Sequence, residues 1–175
     1  MKRAGMALAT AVVAVVGVVG CESGETSPQG ATTTVQPALW DPCSEISDQT
    51  LTAAGVDPST EEAGVAGVHQ SGWEICGWSG DEYALTVYTT AMSVADFEAK
   101  PGNTGFTDVT IAGRQGRQFK VEGDTRNLFC DVVFPTEQGV VQLGIGNSAI
   151  ADGPLEDPCV YLQRAGAVLV PVFPK

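Results

Sequence analysis

The stretch that decides the fold is residues 106–145, FTDVTIAGRQGRQFKVEGDTRNLFCDVVFPTEQGVVQLGI. It contains four runs rich in β-branched and aromatic residues, and short segments that contain glycine separate them: residues 106–111, 114–122, 127–134 and 140–145. Connections this short join neighbouring antiparallel strands, because a parallel crossover needs a dozen or more residues. The stretch therefore predicts antiparallel meanders.

A further hairpin is predicted on the N-terminal side of this stretch. Residues 73–79 and 83–90 are β-prone and flank a turn at Gly80. In the second run large apolar residues alternate with smaller or polar ones, which indicates a strand with one buried face. Residues 59–72 are rich in glycine and weakly patterned, so we expect a loop or a ragged edge strand that contains His69.

Helices are predicted at both ends of the domain. Asp41-Pro42-Cys43 and Asp157-Pro158-Cys159 repeat one tripeptide in which Asp suits the N-cap and Pro suits the first helical position. The first tripeptide opens an interrupted helix up to Ala54, with Asp57-Pro58 ending the segment, and the second opens a C-terminal helix that Pro171 stops. A third, short helix is predicted from the capping-box pattern at residues 93–96.

Together these elements predict an α+β fold. Strands bracketed by helices, without alternation of strand and helix, indicate a single antiparallel β-sheet with the N- and C-terminal helices packed on one face. We expect one domain over residues 40–175.

Four cysteines of this domain are predicted to form two disulfides. Cys43, Cys76, Cys130 and Cys159 are an even number, and their spacing matches neither zinc-site nor thioredoxin-type patterns. Three connectivities are open. We favour Cys43 with Cys76 and Cys130 with Cys159, because each pair then clips one of the two matching helix starts to a strand.

The N-terminus has the pattern of a secretory signal. Lys2 and Arg3 precede an uncharged apolar run over residues 4–20, which is shorter than the roughly 20 residues a spanning helix needs. Small residues lead up to Cys21, as in a bacterial lipobox, so Cys21 is the predicted site of lipidation. Residues 1–20 are thus the predicted signal peptide, and residues 21–39 the lipidated cysteine with a disordered tether rich in Ser, Thr and Pro.

Composition excludes some classes of function. The chain has 9 Lys and Arg against 21 Asp and Glu, a net charge of -12, so it lacks the basic footprint of a nucleic-acid-binding protein. It has one histidine, His69, and no GxSxG elbow, so we expect no enzyme, no cofactor and no metal site. Gly144 to Ala149 fits a GxGxxA pattern, but no crossover helix follows, and we interpret its glycines as the end of an edge strand.

Three other groups of residues are candidates for a site. The acidic residues could pair as acid and base or bind Ca²⁺, although solvated loops explain them better: Asp81, Glu82, Asp152, Glu156 and Asp157. The basic residues have spacings that place them on different strand faces: Arg114, Arg117, Lys120 and Arg126. The tryptophans are interpreted as core residues: Trp40, Trp73 and Trp78.

With these motifs in place, the chain resembles the actinobacterial lipoproteins that carry domain of unknown function 3558. The likeness covers about residues 40–174 and rests on the lipobox, the tether, the two Asp-Pro-Cys tripeptides, the segment Cys76-Gly77-Trp78 and Cys130. The resemblance implies a location on the outer face of the cell membrane and a scaffold with paired cysteines. It implies no activity and no catalytic residues. The chain departs from the pattern in its final helix, where Arg164 is the one charged residue.

These observations lead to one functional expectation and two rivals. We expect a lipid-anchored, extracytoplasmic envelope protein that works as a non-catalytic module and binds an envelope protein or a cell-wall component. The first alternative is a carrier of an apolar ligand such as a glycolipid, held in a cavity between the sheet and its helices. The second is a hydrolase built on two converging carboxylates.

Overall fold

One seven-stranded antiparallel sheet organises the protein in a computed structural model that describes residues 38–147 and 156–175. Its strands are β1 Asp57–Ala63, β2 Trp73–Ser79, β3 Tyr83–Thr90, β4 Asn103–Ile111, β5 Arg114–Val121, β6 Phe129–Thr136 and β7 Gly139–Asn147. The helices are α1 Pro42–Glu45, α2 Asp48–Ala53, α3 Val94–Ala99 and α4 Pro158–Leu169, and a 3-10 turn, Val170–Val172, follows α4.

The sheet consists of two meanders that meet at its centre. The strand order is β1-β2-β3-β7-β6-β5-β4, so β1 to β3 form one meander and β4 to β7 the other. The two join where β3 pairs with β7, from Tyr83 opposite Asn147 to Thr90 opposite Val140. The central strand of the sheet is therefore β7.

The main core lies on the face covered by the N- and C-terminal helices. Alternate residues of the central strands point into it, and α2 and α4 supply the opposing apolar side chains; fully buried members include Leu51, Leu85, Val87, Val132, Leu143, Leu162 and Leu169. Tyr83, Leu85 and Val87 are all buried, which confirms the alternation predicted for β3. The predicted fold class is confirmed.

Both Asp-Pro-Cys tripeptides begin helices as predicted. Asp41 Oδ1 accepts a hydrogen bond from the Cys43 amide at 3.0 Å, and Asp157 Oδ1 accepts one from the Cys159 amide at 2.8 Å. The disulfides link Cys43 to Cys76 and Cys130 to Cys159, which confirms the favoured connectivity. Each disulfide joins the first turn of a helix to a strand of the sheet.

The weakly patterned segment forms an edge strand with an irregular register. Strand β1 begins at Asp57, where we expected only the end of a helical segment, and its pairing with β2 shifts between Asp57 and Glu62. Ser59 Oγ and the Ser59 amide both donate to Asp57 Oδ1, a turn that starts the strand despite Pro58. His69 is exposed and lies beyond β1, in the loop before β2.

The starts of β4 and β6 differ from their predicted positions. Strand β4 starts at Asn103 and includes a bulge between Thr104 and Thr107, so it is longer than the apolar run alone indicated. Strand β6 starts at Phe129, because Asn127 has a positive φ of 53° and Asp124 accepts hydrogen bonds from the amides of Leu128 and Phe129.

Several predictions fall outside the part of the chain that the structure describes. These are the signal segment, Cys21, the tether up to residue 37, and Ala149 and Asp152. Within the described part, no helix combines the length and the apolar character that crossing a membrane requires.

Candidate functional site

The face of the sheet opposite α4 carries a cleft of about 720 Å³. Residues that alternate with the core positions of the central strands point into it, among them Ile75, Tyr88, Asp131 and Gln142. The turn after α3 and the loop before β2 form its walls. Its volume lies in the range typical of small-molecule sites, and it opens to solvent.

Helix α3 is held in place beside the cleft by its cap and by an ion pair. Ser93 Oγ accepts from the Asp96 amide at 3.2 Å, and the Ser93 amide donates to Asp96 Oδ2 at 2.7 Å, so the predicted capping box is confirmed. Arg117 of β5 contacts Glu98 at 2.7 Å. Phe97 is buried between helix and sheet, and α3 therefore covers part of the second face.

Aromatic side chains form a continuous row along the cleft. Ring centroids are 6.4 Å apart between Tyr88 and Trp73, 6.0 Å between Trp73 and Phe97, and 6.2 Å between Phe97 and Phe119, all in edge-to-face arrangements. Phe119 then stacks on Phe106 at 5.1 Å. Edge-to-face packing of this kind stabilises aromatic clusters beyond the burial of their area, so the row gives the cleft a preformed apolar wall.

A buried carboxyl group, that of Asp131, lies at the base of the cleft. Asp131 is 9% exposed, and its Oδ1 accepts a hydrogen bond from Gln142 Nε2 at 2.7 Å. Asp131 forms no salt bridge with any residue that the structure describes. Burial raises the pKa of Asp131 to about 6, although the Gln142 hydrogen bond and the charges of Lys120 and Lys100 act in the opposite direction.

Two glycines of β7 make room for the side chains of β6. Gly144 pairs with Asp131, and an ideal Cβ at residue 144 would lie 2.7 Å from Asp131 Oδ1. Gly146 pairs with Phe129, and a Cβ there would lie 3.0 Å from the Phe129 ring. Our interpretation of these glycines as the end of an edge strand is wrong, because β7 is central and the glycines accommodate a carboxyl and a ring.

Exposed apolar side chains surround the mouth of the cleft. Val65 is 54% exposed, Phe129 is 48% exposed and Val121 is 44% exposed, and all three line the cleft. Exposed apolar side chains grouped at one cleft are a feature of contact surfaces, whereas single exposed apolar residues are ordinary. The rim of the cleft and the aromatic row inside it are therefore both apolar.

The residues predicted from sequence lie mostly away from this cleft. Glu82 accepts a hydrogen bond from the Tyr161 hydroxyl at 3.3 Å, Glu156 pairs with Arg164, and Asp157 caps α4. Glu61 lies near the disulfide sulfurs of Cys43 and Cys76, but those sulfurs are bonded to each other. Glu82, Glu156 and Asp157 therefore serve as local structural partners, whereas Asp81 is exposed in the turn between β2 and β3.

The basic residues do not form a single platform. This agrees with their spacing, which placed them on different strand faces. Arg114 donates to the carbonyl of Pro135 at 2.6 Å, Arg117 pairs with Glu98 and Asp108, and Lys120 donates to Asn127 Oδ1 at 2.7 Å. Each of these three has its own local partner, and Arg126 is exposed in the turn before β6.

The three tryptophans differ in role. Trp78 is 2% exposed and belongs to the main core, and Trp40 packs against that core with its ring 5.8 Å from Phe173. Trp73 packs against a second, smaller apolar cluster that contains Phe97, and it also lines the cleft, so it belongs to a core on the other face of the sheet. It points to the second face because it lies an odd number of residues from Cys76 and Trp78 on one strand.

Asp131 and Gln142 are not among the residues predicted from sequence. Asp131 interrupts the apolar segment Phe129–Phe134, and a charged residue inside a strand of that kind is the signal that could have found it.

Comparison with protein-family models matches residues 16–171 to the family described as "Protein of unknown function (DUF3558)". Searches of curated proteins and of solved structures returned no match.

Proposed function

This chain belongs to the DUF3558 family of proteins of unknown function, and from this premise we propose that it is a non-catalytic binding module, anchored by lipid at Cys21 to the outer face of a bacterial cell membrane. The cleft is its binding site in this proposal. The ligand is a small molecule or a small group of an envelope component, with an apolar part that fits the aromatic row.

The anchor rests on the N-terminal sequence. Lys2 and Arg3, the uncharged run that follows and the small residues before Cys21 form the pattern that a lipoprotein signal peptidase recognises. Two disulfides in the folded domain agree with export, because such bonds form and persist in oxidising compartments. Two or more acyl chains would give stable attachment, which a single chain does not.

The cleft is the observation that carries the binding proposal. It combines a volume of about 720 Å³, a preformed aromatic wall, exposed apolar residues at the mouth and one buried carboxyl at the base. A cavity that is mostly apolar and has a few convergent polar groups is the usual form of a small-molecule site. Structural needs alone do not favour a poorly paired carboxyl at such a place.

The rival proposal, a carrier of an apolar ligand such as a glycolipid, uses the same cleft. We expected its cavity between the sheet and its helices, and the cleft lies beside α3, on the face opposite α4. The apolar rim formed by Val65, Val121 and Phe129 favours this proposal, because it would extend contact to an acyl or aryl group outside the cleft.

Fractionation of cells that express the full chain tests the anchor. We expect the protein in the membrane fraction, with a diacylglycerol-modified Cys21 at the N-terminus of the mature chain by mass spectrometry. Cys21→Ser should remove both the protein from the membrane fraction and the lipid modification. Ser23→Ala, two residues further on, should leave both unchanged. An unmodified Cys21 in the membrane-bound wild type would contradict lipid anchoring.

Extraction of the purified protein tests the binding site. Full-length protein is produced in a bacterial host and captured into nanodiscs. Molecules that these nanodiscs retain and empty nanodiscs do not are identified by mass spectrometry. We expect a retained molecule that Trp73→Ala reduces and Trp40→Ala, on the helix-covered face, does not. Equal retention by both variants would contradict the cleft as the site.

A further inference from the structure

We infer that the cleft selects an organic cation, an ammonium group attached to an apolar body, with the ammonium at Asp131 and the body along the aromatic row. This inference rests on the proposed function, because it specifies the ligand of the same cleft.

The first argument is the incomplete pairing of Asp131. Its Oδ1 accepts from Gln142 Nε2, and no hydrogen bond among the described residues reaches Oδ2, which is not one of the fully buried unpaired atoms and is therefore open to the cleft. A carboxylate that is 9% exposed and lacks a cation is costly, and in proteins such groups are usually paired or bound to a ligand. An ammonium group would supply both the missing donor and the missing charge.

The second argument is the placement of the aromatic rings around this carboxyl. Tyr88 Cε2 and Asp131 Oδ1 lie 3.6 Å and 2.7 Å from the same point, the empty Cβ position of Gly144. The Asp131 carboxyl and the Tyr88 ring thus lie side by side over Gly144, where the absent side chain leaves room for both. Trp73 continues the row from Tyr88. Aromatic faces attract cations, and alkylated ammonium groups bind well in such surroundings.

The third argument concerns the lysines that could have neutralised Asp131. Lys120 is engaged elsewhere, because its Nζ donates to Asn127 Oδ1 at 2.7 Å and to the Phe129 carbonyl at 3.1 Å. Lys100 is an exposed residue of the cleft wall. Neither forms a salt bridge with Asp131. Solvent screens the charge of an exposed lysine far more than that of a buried carboxylate, so the base of the cleft favours a cation.

The fourth argument concerns the net charge of the protein and the apolar surface at the mouth of the cleft. The net charge of -12 attracts cations toward the protein and repels anions. The exposed side chains of Val65, Val121 and Phe129 then provide apolar contact for the part of the ligand that leaves the cleft. An inorganic cation would leave this apolar surface unused.

Three probes with one carbon skeleton test the inference: 4-phenylbutylamine, 4-phenylbutan-1-ol and 4-phenylbutyrate. Binding to the full-length protein in zwitterionic nanodiscs is measured at pH 7.5 by isothermal titration, with empty nanodiscs subtracted. We expect the amine to bind at least about tenfold more tightly than the alcohol, and the carboxylate to bind more weakly than either.

Asp131→Asn is the decisive variant, because it removes the charge and keeps the shape. We expect the affinities of this variant for the amine and for the alcohol to agree within about twofold. Its affinity for the alcohol should stay as it is in the wild type. Asp81→Asn, the same change at an exposed carboxyl in the β2–β3 turn, should leave the tenfold preference intact. Circular dichroism confirms that each variant is folded.

The outcomes separate this inference from the proposed function. Equal binding of amine and alcohol by the wild type would overturn cation selection and leave the cleft as an apolar binding site. Tighter binding of the carboxylate would overturn it in favour of Lys100 as the recognition group. No binding of any probe would count against both the inference and the proposed function.

Discussion

The carboxyl of Asp131 occupies the space that a side chain at residue 144 would need. The two residues face each other across β6 and β7, and a Cβ at residue 144 would come within 2.7 Å of Asp131 Oδ1. Real Cβ atoms do not approach an oxygen so closely, so the glycine and the buried carboxyl depend on each other. Both lie at the base of the cleft.

Gly144→Ala should therefore destabilise the protein, by about 1–3 kcal/mol, because the added methyl group displaces the Asp131 carboxyl. In an Asp131→Ala background the same change should cost much less, since the obstructing oxygen is gone. Denaturant unfolding of the two single variants and the double variant measures the coupling. An equal cost of Gly144→Ala in both backgrounds would show that another contact is responsible.

The raised pKa of Asp131, about 6 against 3.8 for an ordinary aspartate, predicts a pH-dependent stability difference. The folded state holds this proton more tightly than the unfolded state, so the contribution to stability is full below pH 4 and is lost as the pH rises through 6. Asp131→Asn should thus be more stable than the wild type at pH 8, by up to about 3 kcal/mol, and equal to it near pH 3.5.

The same pH series with Asp81→Asn is the control for that prediction. Asp81 is exposed, so its substitution should shift stability little at any pH. Unfolding free energies from urea titration at each pH give the comparison. A wild-type stability that exceeds that of Asp131→Asn at pH 8 would mean that the ionised carboxyl is stabilised in the fold.

The cap of α3 should control the order of the cleft wall. Ser93→Ala removes the acceptor for the Asp96 amide and should cost about 1 kcal/mol of stability. It should also accelerate hydrogen exchange of the Phe97 amide, which donates to the Ser93 carbonyl. Ser47→Ala, the equivalent change at the cap of α2, should lower stability similarly and leave exchange at Phe97 unchanged.

Each disulfide should contribute about 3.5 kcal/mol, because each closes a loop of about 30 residues. Replacement of Cys130 and Cys159 together by alanine should lower the free energy of unfolding by that amount, and replacement of Cys43 and Cys76 should have a similar effect. Denaturant unfolding of the oxidised proteins measures both losses. A pair whose removal changes stability by less than 1 kcal/mol would have a role other than stabilisation.

Much of the fold could be predicted because local signals agreed with the tertiary arrangement. The repeated tripeptides at Asp41 and Asp157 carry their own capping chemistry, and the alternation in β3 identifies a buried face without knowledge of its partner. Strand β1 was harder to predict, because its residues are exposed and polar and its pairing with β2 is irregular.

The cleft could not be predicted because it depends on register. Asp131 and Gly144 lie on the two strands of one predicted hairpin, and it is the register of β6 with β7 that brings the carboxyl over the glycine. Tyr88 and Gln142 likewise meet through the pairing of β3 with β7. A sequence pattern shows that one strand alternates, but it does not show which polar residue of a neighbouring strand will lie beside it.

The junction of the two meanders also has a consequence for oxidative folding. Cys43–Cys76 lies within the N-terminal half, and Cys130–Cys159 joins a strand of the second meander to α4, so neither bond crosses the pairing of β3 with β7. That pairing joins residues far apart in the chain, and contacts of this kind form late and slowly. Each half therefore contains both cysteines of its own bond, and the pairing of β3 with β7 requires no exchange of cysteine partners between the halves.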